Sequence, residues 1–126
     1  MISVIDQVFH ISTEKYSYLL RINRHGLPEH LHFGQPIQTE DWQAFACKPG
    51  LGWGSSIILD EKDPGSCPDV MPLEFSGSGR GDYRESGVEI GGKSVDFRFV
   101  SSRIFKGIAP MHQGLPQAKG GEETLE

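Results

Sequence analysis

Residues 7–34 read QVFHISTEKYSYLLRINRHGLPEHLHFG, and the period of their apolar residues decides the fold class. In residues 7–12, Phe9 and Ile11 alternate with neighbours on the other side, the two-residue period of a strand. Glu14 and Lys15 interrupt, and the run YSYLLRIN resumes at residues 16–23. Two such runs across a short polar break predict a hairpin. Gly26 follows, where the next turn needs a positive φ that glycine adopts without steric cost. Residues 29–33 are then expected to form a third strand. On it His30 and His32 lie two apart, which puts both imidazoles on one face and turns Leu31 and Phe33 to the core.

Working outward, sixteen glycines and eight prolines break the chain too often for long helices. Residues 35–54 are irregular, with Trp42, Phe45 and a Gly-Leu-Gly-Trp-Gly loop. The run SSIILD at residues 55–60 reads as another strand, and EKDPGSCPD at residues 61–69 reads as loop. Gly91-Gly92 between two runs is a hairpin signal. After it Val95, Phe97 and Phe99 alternate with Asp96 and Arg98, one apolar face against one polar. Thr124 and Leu125 read as the start of a further strand, so a piece of a longer polypeptide is expected. The sum is six to eight strands and little helix: an all-β fold, an antiparallel β-sandwich or part of one.

The chain has 126 residues, 37% hydrophobic and 23% charged, with a net charge of −5. Its length suits a single core. An acidic chain repels phosphate backbones, so nucleic acid is not expected as a partner. The densest basic cluster is Arg21, Arg24 and His25, with Glu29 close behind. Two cysteines, Cys47 and Cys67, are too few for a disulfide scaffold and suit free thiols in a reducing compartment. The opening MISVIDQVFHIST has no basic segment and no long apolar run. A cytoplasmic protein without a membrane span is expected.

Few motifs survive inspection. The stretch SGSGRGDYRESGVEI at residues 76–90 holds an Arg-Gly-Asp tripeptide and three glycines at alternate positions. Position 84 is Arg where a dinucleotide fingerprint needs Gly, and no Gly-Lys-Ser/Thr or helix follows, so phosphate binding is rejected. Adhesion requires an exported protein. What remains is a turn feeding a strand, on which Asp82 and Arg84 share a face and join a structural ion network. His30 and His32 form half of a possible zinc site, with His10 from a neighbouring strand as third ligand. No Cys-x-x-Cys or His-Glu-x-x-His spacing supports it, and no metal or other cofactor is expected. Glu74, Glu85 and Glu89 lie in or near apolar runs, yet nothing pairs two carboxylates across a cleft. No nucleophile elbow is present. Trp42, Trp53 and Tyr83 lie in glycine-rich or irregular segments, where aromatics either stack on sugar faces or pack internally.

Four blocks, in order, resemble one family. They are VFHISTEKYSYLLRINRHGLPEHLHFG, PLEFSGSGRGDYRESGVEI, DFRFVSSRIFKG and GLPQAKGGEETLE. Together they resemble the opening of bacterial family 36 glycoside hydrolases, the α-galactosidases or melibiases. The resemblance implies that residues 1–126 are the N-terminal part of a larger β-supersandwich preceding a TIM-like barrel. It implies a retaining hydrolase of terminal α-galactosides of the melibiose or raffinose type. The two catalytic aspartates belong to the barrel, so no catalytic residue is expected in this chain, and the chain alone is expected to be inactive. Tetrameric assembly is also implied, with a loop of this domain reaching a neighbouring subunit's active site. By position that loop is PGLGWGSS, residues 49–56, in which Trp53 stands near an Asp of some relatives. Trp53 is therefore the implied substrate contact, by stacking. Asp82 and Arg84 are implied to hold the fold or a subunit contact. Two other readings compete: a stand-alone carbohydrate-binding β-sandwich module, and a purely structural or interaction domain with open strand edges.

Overall fold

The sequence that opens the chain closes on itself through three tight turns. A computed structural model describes residues 1–46, 57–77, 84–109, 114 and 121–126. Strands β1 (Ile2–Ile5), β2 (Val8–Ser12), β3 (Ser17–Ile22) and β4 (Pro28–Gly34) form one four-stranded antiparallel sheet in sequence order. Asp6 and Gln7 join β1 to β2, both at positive φ (49° and 63°). That is the conformation whose twist matches the flanking strands in a two-residue hairpin. Between β2 and β3, the Thr13 hydroxyl accepts the amides of Lys15 and Tyr16. Between β3 and β4, Asn23 Oδ1 accepts the amides of His25 and Leu27, and Gly26 takes a φ of 74°. The expected hairpin and the expected positive φ are both present. β1 is an additional strand that the periodic reading did not include.

Register settles which side chains share a face. His10 pairs with Leu19, and Leu19 pairs with His32. The ladder then shifts, and Leu20 pairs with His30. Leu31 is the extra residue of a β-bulge, where two residues of one strand oppose one of the next. His30 and His32 therefore lie on opposite faces, contrary to the two-residue period. Leu31 is buried as expected, but Phe33 is 67% exposed instead of entering the core.

The first face carries Val8, His10, Leu19 and Arg21, with the bulged Leu31. Val8, Leu19 and Leu31 form the core cluster, and Ile37, Trp42, Phe45 and Ala46 pack against it. Those four come from a short 3-10 helix, Thr39–Ala44, and its flanks. The helix is pinned by a buried histidine. His10 Nδ1 lies 2.7 Å from Thr39 Oγ1 and Nε2 lies 2.8 Å from Ser17 Oγ. Ser17 Oγ also accepts the Ile37 amide. A neutral ring serves here, one nitrogen donating and the other accepting.

The second face carries Phe9, Ile11, Tyr18, Leu20, Ile22 and His30. Phe99 packs on Phe9 at 6.0 Å between centroids, and Phe75 meets Phe97 edge-on at 5.1 Å. Between them runs an apolar groove of about 410 Å³ lined by Phe9, Leu20, Pro28, Phe97, Phe99 and Leu125. The predicted alternation in residues 95–99 is thus half realised. Phe97 and Phe99 both line the groove, but these residues join no strand. A bond from the Phe99 amide to the Gly26 carbonyl and one from the Arg98 guanidinium to the His25 carbonyl tie them to the sheet's end.

The remaining strands are short. β5 (Glu89–Ile90) pairs with β6 (Lys93–Ser94) across Gly91 and Gly92, both at positive φ. β7 (Ile104–Lys106) pairs with β8 (Glu123–Leu125), so Thr124 and Leu125 do lie in a strand. β8 reaches the first sheet where Glu123 accepts the Ile2 amide at 2.6 Å. Residues 72–74 cover the outer edge of β4 through bonds from the His30 amide to Pro72 and from the Glu74 amide to Pro28. A covered edge does not recruit a foreign strand. Of residues 55–60, expected as strand, 55 and 56 lie outside the described residues and 57–60 are irregular, with Ile57 and Ile58 exposed. Leu59 and Asp60 instead donate their amides to the carbonyl and hydroxyl of Ser66, closing the turn-rich loop at residues 61–66. All strand pairings described are antiparallel, and the fold is all-β.

Burial depresses the His10 pKa below its ordinary 6.5, helped by His32 and the N-terminal ammonium and opposed by Glu40. Below about pH 6.5 the unfolded chain takes up a proton that the folded chain resists, so stability falls as pH falls. Thermal unfolding followed between about pH 7.5 and about pH 5 should show a falling midpoint. His10→Ala should flatten that slope while costing about 1–3 kcal/mol at neutral pH, through Thr39 and Ser17 losing their partner.

Candidate functional site

The basic cluster noticed in the sequence forms one wall of a cleft. The β3–β4 hairpin places Arg21, Asn23 and Arg24 at one end of the sheet, and Glu29 is the second residue of the return strand. The cleft encloses about 420 Å³ and is lined by these residues together with Asp6, Trp42 and Asp63, among others. Cavities of this size hold small ligands.

Its charges are arranged in pairs. Arg21 and Glu29 are cross-strand partners. Arg21 Nε donates to Glu29 Oε2 at 2.6 Å, and Asn23 Nδ2 donates to Oε1 at 2.8 Å. Glu29 is 4% exposed, and a carboxylate so deeply placed needs such donors. Arg24 spans Asp60 and Asp63 at 2.9 and 2.6 Å, and its Nε donates to His25 Nε2. The Arg21 guanidinium carbon lies 5.8 Å from the centre of the Trp42 ring, within cation–π range. The indole thus supplies an apolar wall beside polar donors and acceptors.

On the second face, His30 Nδ1 sits 2.7 Å from Glu74 Oε1, and the rings of Tyr18 and His30 are 5.5 Å apart. Burial, and then Glu74, push the Tyr18 phenol well above its usual range. His32 contacts the Gln35 carbonyl and packs on Phe45. The three histidines of the conceivable zinc site thus have separate partners. Among the described residues no group of three or more His, Cys, Asp or Glu is placed to hold a metal.

This arrangement suits binding more than bond-breaking. Both oxygens of Glu29 already accept donors, and Glu74 is engaged by His30 and Tyr18. Glu85 and Glu89 are exposed.

Residues 26–126 match the glycosyl hydrolase family 36 N-terminal domain. The chain belongs to that family. Against the α-galactosidase AgaA of Geobacillus stearothermophilus it is 28% identical, an alignment covering 94% of this chain and 17% of AgaA. The crystal structure of the family 36 α-galactosidase AgaB from the same organism superposes with a TM-score of 0.76 at 26% identity, covering 99% of this chain and 18% of AgaB. A variant of AgaA in complex with raffinose superposes at 0.72 with 29% identity, covering 94% of this chain and 17% of AgaA. The chain therefore spans less than a fifth of the length of these relatives.

Within this family 36 domain, Arg84 is the one of Trp53, Asp82 and Arg84 that the structure describes. It lies at a bend and in no strand, so the shared strand face proposed for it and Asp82 is not formed at Arg84. Its guanidinium donates to the carbonyls of Met71 and Pro68 at 3.0 and 2.7 Å. Met71 in turn lines the cleft. Asp82, Trp53, Tyr83 and Cys47 lie outside the described residues, while Cys67 is a buried free thiol. Sequence reasoning missed Asp6, Asp60 and Asp63 as neighbours of the basic cluster. Asp60 ends the run that reads as strand and Asp63 falls in the stretch that reads as loop, and nothing in either points back to Arg24.

Glu29→Ala leaves Arg21 and Asn23 without their acceptor. Urea unfolding of that variant should show a loss of about 2 kcal/mol, with Glu29→Gln intermediate.

Proposed function

We propose that this chain is the N-terminal segment of an α-galactosidase that cleaves terminal α-galactosides of the raffinose type with retention, and that it serves assembly and site shaping. The observation that carries this reading is the family 36 N-terminal match over residues 26–126. Chemistry would reside in two carboxylates of a following barrel, one attacking the anomeric carbon and one acting as acid and then base. The described carboxylates of this chain take no part.

Assembly is supported by the second face. Phe97, Val100, Ile104 and Ile90 are exposed, and apolar side chains at a surface suit a protein contact. A homotetramer and a cytoplasmic setting belong to the same proposal. So does the lending of residues 49–56 to a neighbouring active site, with Trp53 stacking on the sugar. Arg84, which ties down the loop at residues 68–71, acts together with Asp82 in holding the fold or a subunit contact.

The test is the polypeptide translated through and beyond Glu126. It should release galactose from p-nitrophenyl α-galactoside with the α-anomer formed first by NMR, while the 126-residue chain alone releases none. A reading frame without a barrel, or a longer product without activity, overturns the proposal. In the active protein Trp53→Ala should raise KM about fivefold with little change in kcat, the signature of lost ground-state binding. Arg84→Ala should cost about 1–2 kcal/mol in unfolding or weaken assembly. An Arg84 variant that stays fully assembled yet loses turnover contradicts the structural role.

A further inference from the structure

We propose that the cleft between the β3–β4 hairpin and the Trp42 helix is a binding site for a neutral polyhydroxylated ring, a terminal hexopyranoside. It is lined by described residues of this chain.

Charge rules out the commoner ligands first. The cleft is lined by Arg21 and Arg24 against Asp6, Glu29 and Asp63. Each arginine already faces at least one carboxylate within 2.6 Å. An added anion would meet as much negative as positive charge, and an added cation would have to compete with two guanidinium groups. A neutral ligand with many hydroxyls meets neither obstacle, because a hydroxyl donates and accepts.

The groups left over suit such a ligand. Arg21 spends only Nε on Glu29, and among the described residues its terminal nitrogens have no hydrogen-bond partner. The carboxylate of Asp6 likewise has no partner among the described residues. One wall thus offers donors and another an acceptor. Trp42, Ala46 and Pro72, which line the same cleft and are not buried, supply apolar surface. A pyranose ring has this same division, with hydroxyls around its rim and C–H groups on its faces, and indole is the side chain best suited to those faces. A volume of about 420 Å³ admits one ring and part of a second.

The geometry of the site does not depend on the proposed function; the choice of an α-galactoside as its ligand does. The experiment is a ¹H–¹⁵N titration of the labelled chain with methyl α-galactopyranoside and with raffinose, against inorganic phosphate as control. Saturable shifts should appear at the amides of Asp6, Asn23, His25 and Gly65. Trp42→Ala should weaken binding about tenfold. Ala46→Phe fills the cleft from its wall without breaking an ion pair, and should abolish the shifts while leaving the rest of the spectrum intact. Shifts with phosphate and none with either sugar overturn the proposal, as do sugar shifts that map elsewhere or survive Ala46→Phe, or no shifts at all. Activity of the longer polypeptide is scored separately. An active enzyme with a silent cleft overturns this site and leaves the proposed function standing; a responsive cleft on an inactive protein does the reverse.

Discussion

One inserted residue, Leu31, determines what each face of the sheet can do. Without it the ladder from Gly34 to Pro28 would run in phase, and His30 and His32 would stand together. The bulge disrupts the ladder locally, at a cost of roughly 0.5–1.5 kcal/mol for a lost hydrogen bond. Burying a leucine returns roughly 1.5–3 kcal/mol, and Leu31 is one of three members of the core cluster with Val8 and Leu19. Burial wins. The consequence is chemical as well as structural: His32 stays in line with Leu19 and His10, while His30 passes to the other face and meets Glu74. A strand that the sequence presents as a two-histidine ligand surface becomes two unrelated single-histidine environments.

The first face then depends on keeping polar groups satisfied beneath the short helix. His10, Ser17 and Thr39 are all buried, yet among the described residues no buried side-chain nitrogen or oxygen lacks a partner. A 3-10 helix of six residues has little stability of its own. It holds its place because Thr39 is bound to His10 and because Ile37, Trp42 and Phe45 close over Leu19. Trp42 can form a wall of the cleft only while that helix is seated. The buried histidine and the cleft are therefore linked: the imidazole fixes the element that positions the indole.

The legible parts of the fold were those with local causes. The β2–β3 hairpin, the Gly26 turn, the Gly91-Gly92 hairpin and the strand at Thr124 all follow from period and turn chemistry within a few residues. The failures are non-local. Ile57 and Ile58 look like core strand residues, but the turn fixed by Ser66 leaves them exposed. Residues 95–99 alternate as a strand should and turn Phe97 and Phe99 to one groove, yet no described strand lies alongside to complete a ladder. The candidate site divides the same way. Arg21, Arg24 and Glu29 were visible as a cluster, being eight residues or fewer apart. Their partner Asp63 stands 39 residues from Arg24, and no periodicity carries across such a gap.

The pairing of charges also separates binding from catalysis at this end of the sheet. A general acid or base must exchange a proton during the reaction and so needs a lone pair or proton not already committed. Glu29 is held on both oxygens by Arg21 and Asn23, and Asn23 is itself held by the amides of its turn. Such a carboxylate can fix the angle of a guanidinium, which is what recognition requires. The same hydrogen bonds that make the hairpin rigid hold the Arg21 guanidinium in one orientation beside the Trp42 ring. Rigidity gained for folding is thereby available for selectivity.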